Sequence, residues 1–411
     1  MEEKKTVQRI KRISLQAGIL LCLCFFTGCR SGSDTANTIQ NCSQRFAAFC
    51  RIQENSYFSH QEADGMQYLY YYDEKTNTAS PLCGRAECTH NTTACSACIG
   101  NALGMQTDGK SIYWISPGYT AEERVNGYSY MLYRVSADGT KRKCLRKLSE
   151  VSENLLPTAN LMALYDSEHA FICGNKSIIT DGEPVITTAL YVFWQNNDEM
   201  KTLYEETYPA APVIQIYRNQ LYLSLTRQII AEEGDEVKLS SEFELRRYNM
   251  DTWEEEILFR DKLDFVPYNF YVLEDRILIS PVSAGNNQLY AYIFEKQTIE
   301  PMLCFDENDE YDTVFLDNNI IIGYTYPDFP DFSMKKLKVT DYTGKVLLEV
   351  ESEEHMRSDD GSHVFGRTYY GSDETGLYFS YVDTESDPAS LTQRIVRYSL
   401  MDGVETELIG K

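Results

Sequence analysis

The stretch "YRVSADGTKRKCL" (residues 133–145) decides the fold class of this chain. Apolar and polar side chains alternate from Tyr133 to Ser136, which is the pattern of a half-buried β-strand. The pair Asp138-Gly139 follows, and such pairs form tight hairpin turns because both residues tolerate positive φ. A second strand then leaves the turn. The stretch therefore predicts an antiparallel β-hairpin.

Related units recur along the chain, and "KVTDYTGKVLLEV" (338–350) contains another plain hairpin with Gly344 at its turn. Each unit has an apolar strand, a second strand with alternating polarity, and a short third strand after a turn. The first strands are "NSYFSH" (55–60), "DGKSIYWIS" (108–116), "HAFICG" (169–174), "NQLYLSLT" (219–226), "DRILIS" (275–280), "NNIIIGYT" (318–325) and "TGLYFSYV" (375–382). Seven units of about 50 residues match the usual length of propeller blades.

These repeats predict an all-β fold, a β-propeller of seven blades with four antiparallel strands each. One four-stranded sheet cannot bury both of its faces, whereas radial packing of several sheets does so. We find no stripe of apolar residues at helical spacing. We expect the first and last units to share the blade that closes the ring, so six and eight blades remain alternatives. A sandwich or pair of β-sandwiches is the other architecture that such repeats allow.

The N-terminus predicts an export signal and a lipid anchor. A basic segment precedes the apolar run "ISLQAGILLCLCFFTG" (13–28), which is shorter than the roughly 20 residues of a membrane span. The sequence "FTGC", ending at Cys29, resembles a bacterial lipobox, with Phe26 where that motif usually has Leu. The resemblance implies cleavage after residue 28 and lipidation of Cys29. An uncleaved anchor and an ordinary secretory signal are the alternatives.

The composition restricts the partners of the chain. Its net charge is −24, and such an acidic surface argues against nucleic acid, whose phosphates require Lys and Arg. Residues 30–41 are polar and lack aromatic side chains. We therefore divide the chain into a signal peptide (1–28), a flexible tether (29–44) and a propeller domain (45–411). The expected protein is a monomer held by its lipid on the outer face of the cell membrane.

The segment "PLCGRAECTHNTTACSACIG" (81–100) carries four cysteines and one of the five histidines. It follows the outer strand of the first unit, so we interpret it as an inter-blade loop of about 24 residues. Loops of this length without regular structure are uncommon and usually have a functional or structural role. Three thiolates and an imidazole would form a closed, structural zinc site. The predicted metal ligands are Cys83, Cys88, His90 and Cys95.

Two alternatives remain open for this segment. Cys98 could replace His90 and give an all-thiolate zinc site. Disulfide bonds, for example between Cys83 and Cys88, would suit an exported protein. Against disulfides, nine cysteines follow Cys29, an odd number, and the histidine would have no role.

Two resemblances add to this interpretation. "IYWIS" (112–116) followed by the hairpin at Asp138-Gly139 resembles the YWTD propeller repeat of low-density lipoprotein receptors, although Ile-Ser replaces Thr-Asp and no other unit has Tyr-Trp. The whole chain resembles propeller lipoproteins of Gram-positive anaerobes, which combine a lipobox with a "PLC…C.H…C" segment, here Pro81 to Cys95. The second resemblance implies a propeller and a lipid anchor, and it implies no activity.

The sequence lacks the motifs of common catalytic sites, namely G-x-S-x-G, H-E-x-x-H and phosphate-binding loops. The best candidate for an exposed aromatic loop is "YTYPDFPDF" (324–332), because its two prolines rule out a central strand. Its candidate ligand-binding residues are Tyr324, Tyr326, Phe329 and Phe332. The sequence favours a non-enzymatic module that binds a glycan or a protein. The alternatives are a glycan-acting enzyme with carboxylates at the channel mouth and a structural subunit of an envelope complex.

Overall fold

The structure is a computed structural model. It describes residues 49–409 with gaps at 53–54, 62–65, 74, 77, 101, 118–129, 148–161, 167, 181–182, 196–198, 208–209, 234–235, 283–287, 305–312, 317–318, 326–333, 352–362, 374 and 386–391. Every regular element longer than a turn in these described residues is a β-strand. The described residues include no helix that is long and apolar enough to cross a membrane.

The strands form seven sheets, one for each blade. Blade 1 has β1 (Phe49–Ile52), β2 (Asn55–Gln61), β3 (Gln67–Asp73), β4 (Thr78–Pro81) and β5 (Cys98–Gly100); blade 2 has β6 (Leu103–Thr107), β7 (Ser111–Pro117), β8 (Tyr130–Ser136) and β9 (Lys143–Lys147). Blade 3 has β10 (Met162–Tyr165), β11 (His169–Thr180), β12 (Glu183–Trp194) and β13 (Met200–Glu206); blade 4 has β14 (Ala211–Tyr217), β15 (Gln220–Glu233), β16 (Glu236–Asn249) and β17 (Glu255–Leu263).

Blade 5 has β18 (Pro267–Val272), β19 (Arg276–Pro281), β20 (Gln288–Ile293) and β21 (Thr298–Cys304). Blade 6 has β22 (Thr313–Leu316), β23 (Ile320–Thr325), β24 (Met334–Thr340) and β25 (Val346–Glu351). Blade 7 has β26 (His363–Ser372), β27 (Gly376–Glu385), β28 (Thr392–Ser399) and β29 (Glu405–Ile409). The first four strands of every blade pair antiparallel in chain order, and β5 pairs with β3 in blade 1. This arrangement confirms the predicted seven-bladed propeller.

Burial decreases from the inner strands of a blade to its outer strand. In β2 the residues from Ser56 to His60 are all buried, because this strand has neighbouring blades on both faces. In β25, at the outer rim, the residues are exposed or only half-buried. Many tyrosine side chains pack in the core between the blades, and Tyr57, Tyr68 and Tyr113 are almost fully buried. The abundance of tyrosine in the sequence thus reflects the packing of sheet on sheet.

Aspartates shape the turns between the first and second strands of several blades. Asp108 accepts hydrogen bonds from the backbone N–H groups of Lys110 and Ser111 through one oxygen and from the Tyr113 hydroxyl through the other. Asp373 does the same in blade 7 for the Gly376 backbone and the Tyr378 hydroxyl. Each carboxylate therefore fixes both the turn and an aromatic ring of the next strand.

Blades 1 and 7 close the ring without exchanging a strand. Residues 49–81 supply β1 to β4, and residues 363–409 supply all four strands of blade 7. The expectation that the first and last units share a closing blade is therefore wrong. Side chains close the seam instead: Arg51 pairs with Asp373 at 2.5 Å, and the ring of Phe49 stacks on Tyr378 with centroids 4.4 Å apart.

Candidate metal centre

The cysteine-rich segment is an excursion from the outer edge of blade 1. β4 pairs with one half of β3, and β5 pairs with the other half. The backbone of Leu69 joins the two halves, because its carbonyl accepts a hydrogen bond from Leu82 and its N–H donates to Ala97, both at 2.7 Å. Residues 83–96 thus leave and re-enter the sheet at one point. After β4 the chain forms this excursion, returns to blade 1 at β5, and only then enters blade 2 at β6.

The structure brings the four predicted metal ligands together. One donor atom from each residue lies within 4.8 Å of the donor atoms of the other three, and the four residues are Cys83, Cys88, His90 and Cys95. Nδ1 of His90 lies 3.4 Å from Sγ of Cys95. Two ligand atoms on one tetrahedral zinc ion are about 3.6 Å apart, given Zn–S and Zn–N bonds of about 2.3 and 2.0 Å. The group therefore has the donor set and nearly the spacing of a zinc site, and Cys98 is outside it.

The thiols of this group differ in their readiness to ionise. Burial acts to raise the pKa of Cys83, but the Ser96 side chain, the Arg85 backbone and the neighbouring thiols outweigh it and lower that pKa to about 6. Burial raises the pKa of Cys95 to about 12, and the nearby thiols Cys88 and Cys83 add to the rise. Crowded thiols ionise one at a time in the absence of a cation. A divalent cation would offset the repulsion between neighbouring thiolates, because it binds the thiolate form of cysteine.

His90 reaches the group through an unusual backbone conformation. Its φ is +54°, in the left-handed region that non-glycine residues rarely adopt. Such a conformation costs on the order of 1 kcal/mol and persists where surrounding contacts enforce it. Cys83, Cys88 and Cys95 are present as thiols and form no disulfide bonds with one another. The strained turn brings the imidazole close to these three sulfur atoms.

Blade 2 holds the excursion in place. The guanidinium of Arg142 donates hydrogen bonds to the carbonyl oxygens of Thr93, Cys95 and Cys98, at 2.8, 2.7 and 2.9 Å. The predicted turn glycine Gly139 has φ +71°, and a Cβ placed there would lie 2.7 Å from the carbonyl oxygen of Leu82. The hairpin turn that marks the fold in the sequence is thus also the surface against which the cysteine segment packs.

The centre lies at the edge of the core between blades 1 and 2, with Cys83, Cys88 and His90 half-buried. Cys95 is fully buried, and Cys83 and Cys88 pack against a cluster that includes Trp114 and Tyr133. Four protein donors around one point would fill a tetrahedral shell and leave no position for water or substrate. The arrangement therefore suits a structural role rather than Lewis-acid catalysis.

Other predicted site residues fall beyond the part of the chain that the structure describes. Cys29, the predicted lipidation site, lies outside it, as do Tyr326, Phe329 and Phe332 of the aromatic loop. Tyr324 belongs to β23, but its side chain is also outside the described part.

The structure reveals a cleft between blades 4 and 5 that the sequence did not indicate. It has a volume of about 370 Å³ and lies beside the short turns β14–β15, β18–β19 and β20–β21. Aromatic side chains line it together with Arg247, Glu256, Glu274 and Gln297. Its residues come from five strands and two turns, so no short motif marks them in the sequence.

Comparison with known proteins identifies the fold alone. No protein-family model matches the chain, and no curated protein matches it. A puromycin-hydrolyzing peptidase of Mycobacterium tuberculosis is similar in structure with 11% identity, a TM-score of 0.51, and coverage of 94% of this chain and 56% of that chain. A polysaccharide lyase, PL25 ulvan lyase bound to -[GlcA(1-4)Rha3S]-, has 11% identity, a TM-score of 0.50, and coverage of 93% and 97%.

An acylaminoacyl peptidase in complex with Z-Gly-Gly-Phe-chloromethyl ketone has 13% identity and a TM-score of 0.50. It is matched over 94% of this chain and 52% of its own length. This chain thus spans little more than half of the two peptidase chains. At such low identity, the matches bear on the fold alone, and they assign no activity to this chain.

Proposed function

We propose that this chain is a zinc-stabilised propeller, tethered to the outer face of the cell membrane, that acts as a non-enzymatic ligand-binding module. The convergence of Cys83, Cys88, His90 and Cys95 on one point carries the zinc part of this proposal. Zinc would join the excursion of blade 1 into a closed loop against blade 2 and hold the strained backbone at His90.

Three of the described carboxylates serve in ion pairs and turns, which makes them unsuited to act as the acid of a glycan-cleaving site. A glycan-cleaving propeller needs a carboxylic acid whose pKa is raised toward neutrality. The pKa of Glu206 is lowered, first by a hydrogen bond from Tyr204, and the pKa of Asp275 is lowered by Arg276. Turn contacts lower the pKa of Asp138 to about 2, with the Ser136 hydroxyl as the largest cause. These carboxylates are committed to turns and ion pairs.

Metal analysis tests the zinc centre. We expect the chain, purified without added metal, to contain one zinc ion per molecule and to lose it on Cys88→Ser or His90→Ala substitution. Cys304→Ser is the matched control, because Cys304 is an exposed cysteine in β21 of blade 5, remote from the group. Absence of zinc together with thiol titration that finds paired cysteines would contradict the proposal and favour disulfides.

The tether is tested by cell fractionation. Cys29→Ala should block lipidation and release the processed protein from the membrane fraction, whereas Cys304→Ser should leave it membrane-bound. Retention of the Cys29→Ala chain in the membrane would point to an uncleaved anchor instead.

The binding role is tested by a thermal-shift screen of the zinc-loaded chain against glycans and envelope proteins. A ligand that binds only the folded chain stabilises it by an amount that grows with the logarithm of ligand concentration over Kd, and so raises its melting temperature. Specific stabilisation by one ligand class is the expected result, and the absence of any response across the screen would count against a binding module.

A further inference from the structure

We propose that the cleft between blades 4 and 5 is a saccharide-binding site for a neutral, hydroxyl-rich sugar unit. The inference rests on the proposed binding role and names the class of ligand and the site. Four features of the described residues carry it: the aromatic walls, the compensated charges, the rigid frame and the volume.

Aromatic rings form the walls of the cleft. Tyr217 and Phe294 are half-buried, so part of each ring faces the open space. Tyr222 and Tyr292 lie behind them and are almost fully buried. Phe294 meets Tyr292 edge to face with centroids 5.8 Å apart, which fixes its orientation. An aromatic face held in this way can stack against the C–H face of a pyranose ring.

The polar groups of the cleft are charged but paired. Arg247 donates hydrogen bonds to Glu256, with Nε 3.2 Å from Oε2. At the other side Arg218 pairs with Glu274 at 3.0 Å and lies over the ring of Tyr217 at 5.2 Å from its centroid. Two cations and two carboxylates balance each other around the opening. This balance gives an anionic or cationic ligand no unpaired countercharge.

These groups match the hydrogen-bonding needs of vicinal hydroxyls. A guanidinium offers donors in a fixed fork, a carboxylate offers two acceptors, and the amide of Gln297 offers both. A sugar hydroxyl donates one hydrogen bond and accepts others, so it can join such groups without adding charge. The combination of aromatic walls and planar polar groups thus selects a polyol with one apolar face.

The frame around the cleft is rigid before any ligand binds. The Tyr292 hydroxyl donates to the carbonyl of Leu258 at 2.9 Å and thereby joins blade 5 to blade 4. The buried side chain of Gln215 accepts a hydrogen bond from the Val272 backbone at 2.6 Å across the same junction. Gln297 itself has φ +55°, and its N–H donates to Ile293. Preorganised walls reduce the entropy lost on binding.

The size of the cleft sets the length of the ligand. Its volume of about 370 Å³ is near the lower end of small-molecule sites, which span about 300 to 1,000 Å³. Such a space suits roughly one or two sugar rings of a longer glycan. The remaining sugars would extend past Glu274, which is largely exposed at the rim.

The test uses the full-length, zinc-loaded chain in mild detergent and saturation-transfer NMR with defined probes. These probes are methyl glycosides of glucose, galactose, mannose and N-acetylglucosamine and the neutral disaccharides cellobiose and lactose, with glucuronate and glucosamine as charged counterparts. We expect at least one neutral probe to bind, with its C–H protons receiving the saturation, and its charged counterpart to bind at least about tenfold more weakly.

Variants then locate the binding. Phe294→Ala removes one wall, and Gln297→Gly removes the amide while it keeps a residue that tolerates the left-handed backbone. Each should weaken binding by about tenfold or more. Lys296→Ala is the matched control, because Lys296 lies on the same turn but pairs with Glu300 outside the cleft, and it should bind like the parent chain. Circular dichroism confirms that each variant is folded.

Four results would overturn the inference. If a neutral probe binds equally well to the parent and to both cleft variants, the site is elsewhere. If only a charged probe binds, the ligand class is wrong. If no sugar binds while the thermal-shift screen finds another ligand, the saccharide inference fails and the binding module stands. If neither experiment finds a ligand, both proposals fail.

Discussion

On one side, blade 1 meets blade 7 through buried side chains, namely the pair Arg51–Asp373 and the stack of Phe49 on Tyr378. On its other side it meets blade 2 partly through a loop whose thiols crowd around one point. The seam between blades 1 and 7 has its charges paired and its rings packed. The junction between blades 1 and 2 has three thiols and an imidazole whose donor atoms lie within 4.8 Å of one another. The first junction is held by contacts within the chain, and we propose that a metal ion completes the second.

The largest expected effect comes from Asp373→Ala at the seam. This change leaves Arg51 without its carboxylate in a largely buried position and also removes the turn contacts and the acceptor of the Tyr378 hydroxyl. Removal of one partner from a buried ion pair costs about 3 to 5 kcal/mol. Urea denaturation should show this loss of unfolding free energy. Asp341→Ala, which removes a turn cap away from the seam, is the control and should cost much less. Equal losses would mean that the seam pair adds nothing beyond the turn.

Removal of zinc should loosen only the other junction. At free zinc about 100 times its Kd, binding stabilises the closed loop by about 2.7 kcal/mol, which is about a hundredfold in the opening equilibrium. We expect chelation to reduce amide-exchange protection in residues 83–96 by about that factor. Protection in β26 to β29 should stay unchanged. Uniform loss of protection in both regions would contradict a local role for the metal.

Arg142→Lys should have a smaller effect on the same junction. A lysine cannot reproduce the three hydrogen bonds that the guanidinium makes to the loop carbonyls. Groups that orient metal ligands typically change affinity by about 10- to 100-fold. We expect zinc affinity, measured by competition with a chromophoric chelator, to fall about tenfold. Lys141→Ala on the same turn is the control and should leave the zinc affinity unchanged. An unchanged zinc affinity in Arg142→Lys would mean that the hydrogen bonds from Arg142 do not help to position the metal ligands.

Acid should weaken the seam by the smallest amount. Burial acts to raise the pKa of Asp373, but the Tyr378 hydroxyl, the Thr375 contacts and Arg51 outweigh it and lower the pKa below 3.8. A lowered folded-state pKa gives stability that is present above pH 3.8 and is lost as the pH falls through the folded value. Between pH 5 and pH 2, the parent chain should therefore lose more stability than Asp373→Ala. Parallel pH profiles for the two chains would contradict this assignment.

Much of the fold was predictable because turn chemistry and strand alternation are local signals. The predicted hairpins correspond to the second, third and fourth strands of each blade, and Gly139 and Gly344 have the positive φ expected of them. The innermost strands were not located in the sequence. Strands such as β1 and β10 have only four residues each. Their position depends on contacts around the ring, which sequence spacing does not encode.

The metal centre and the cleft between blades 4 and 5 also differ in how far the sequence reveals them. The four metal ligands lie within a stretch of 13 residues, from Cys83 to Cys95, and cysteine and histidine are both rare in this chain, so their spacing was visible. The pairing of β5 with β3 was not visible in the sequence, because β5 is only three residues long. The cleft between blades 4 and 5 joins residues from Tyr217 to Gln297 that become neighbours only when the blades pack. The closure of the seam by Arg51 and Asp373 is equally non-local, because the partners are 322 positions apart in the sequence.

X-ray absorption at the zinc edge of the purified, full-length chain can identify the metal and its ligands in one experiment. We predict a bound zinc ion with three sulfur neighbours at about 2.3 Å and one nitrogen neighbour at about 2.0–2.1 Å. A shell of four sulfur atoms would replace His90 with Cys98 in the site. A protein without zinc, or with a shell of oxygen and nitrogen only, would contradict the claim that a metal ion completes the junction between blades 1 and 2.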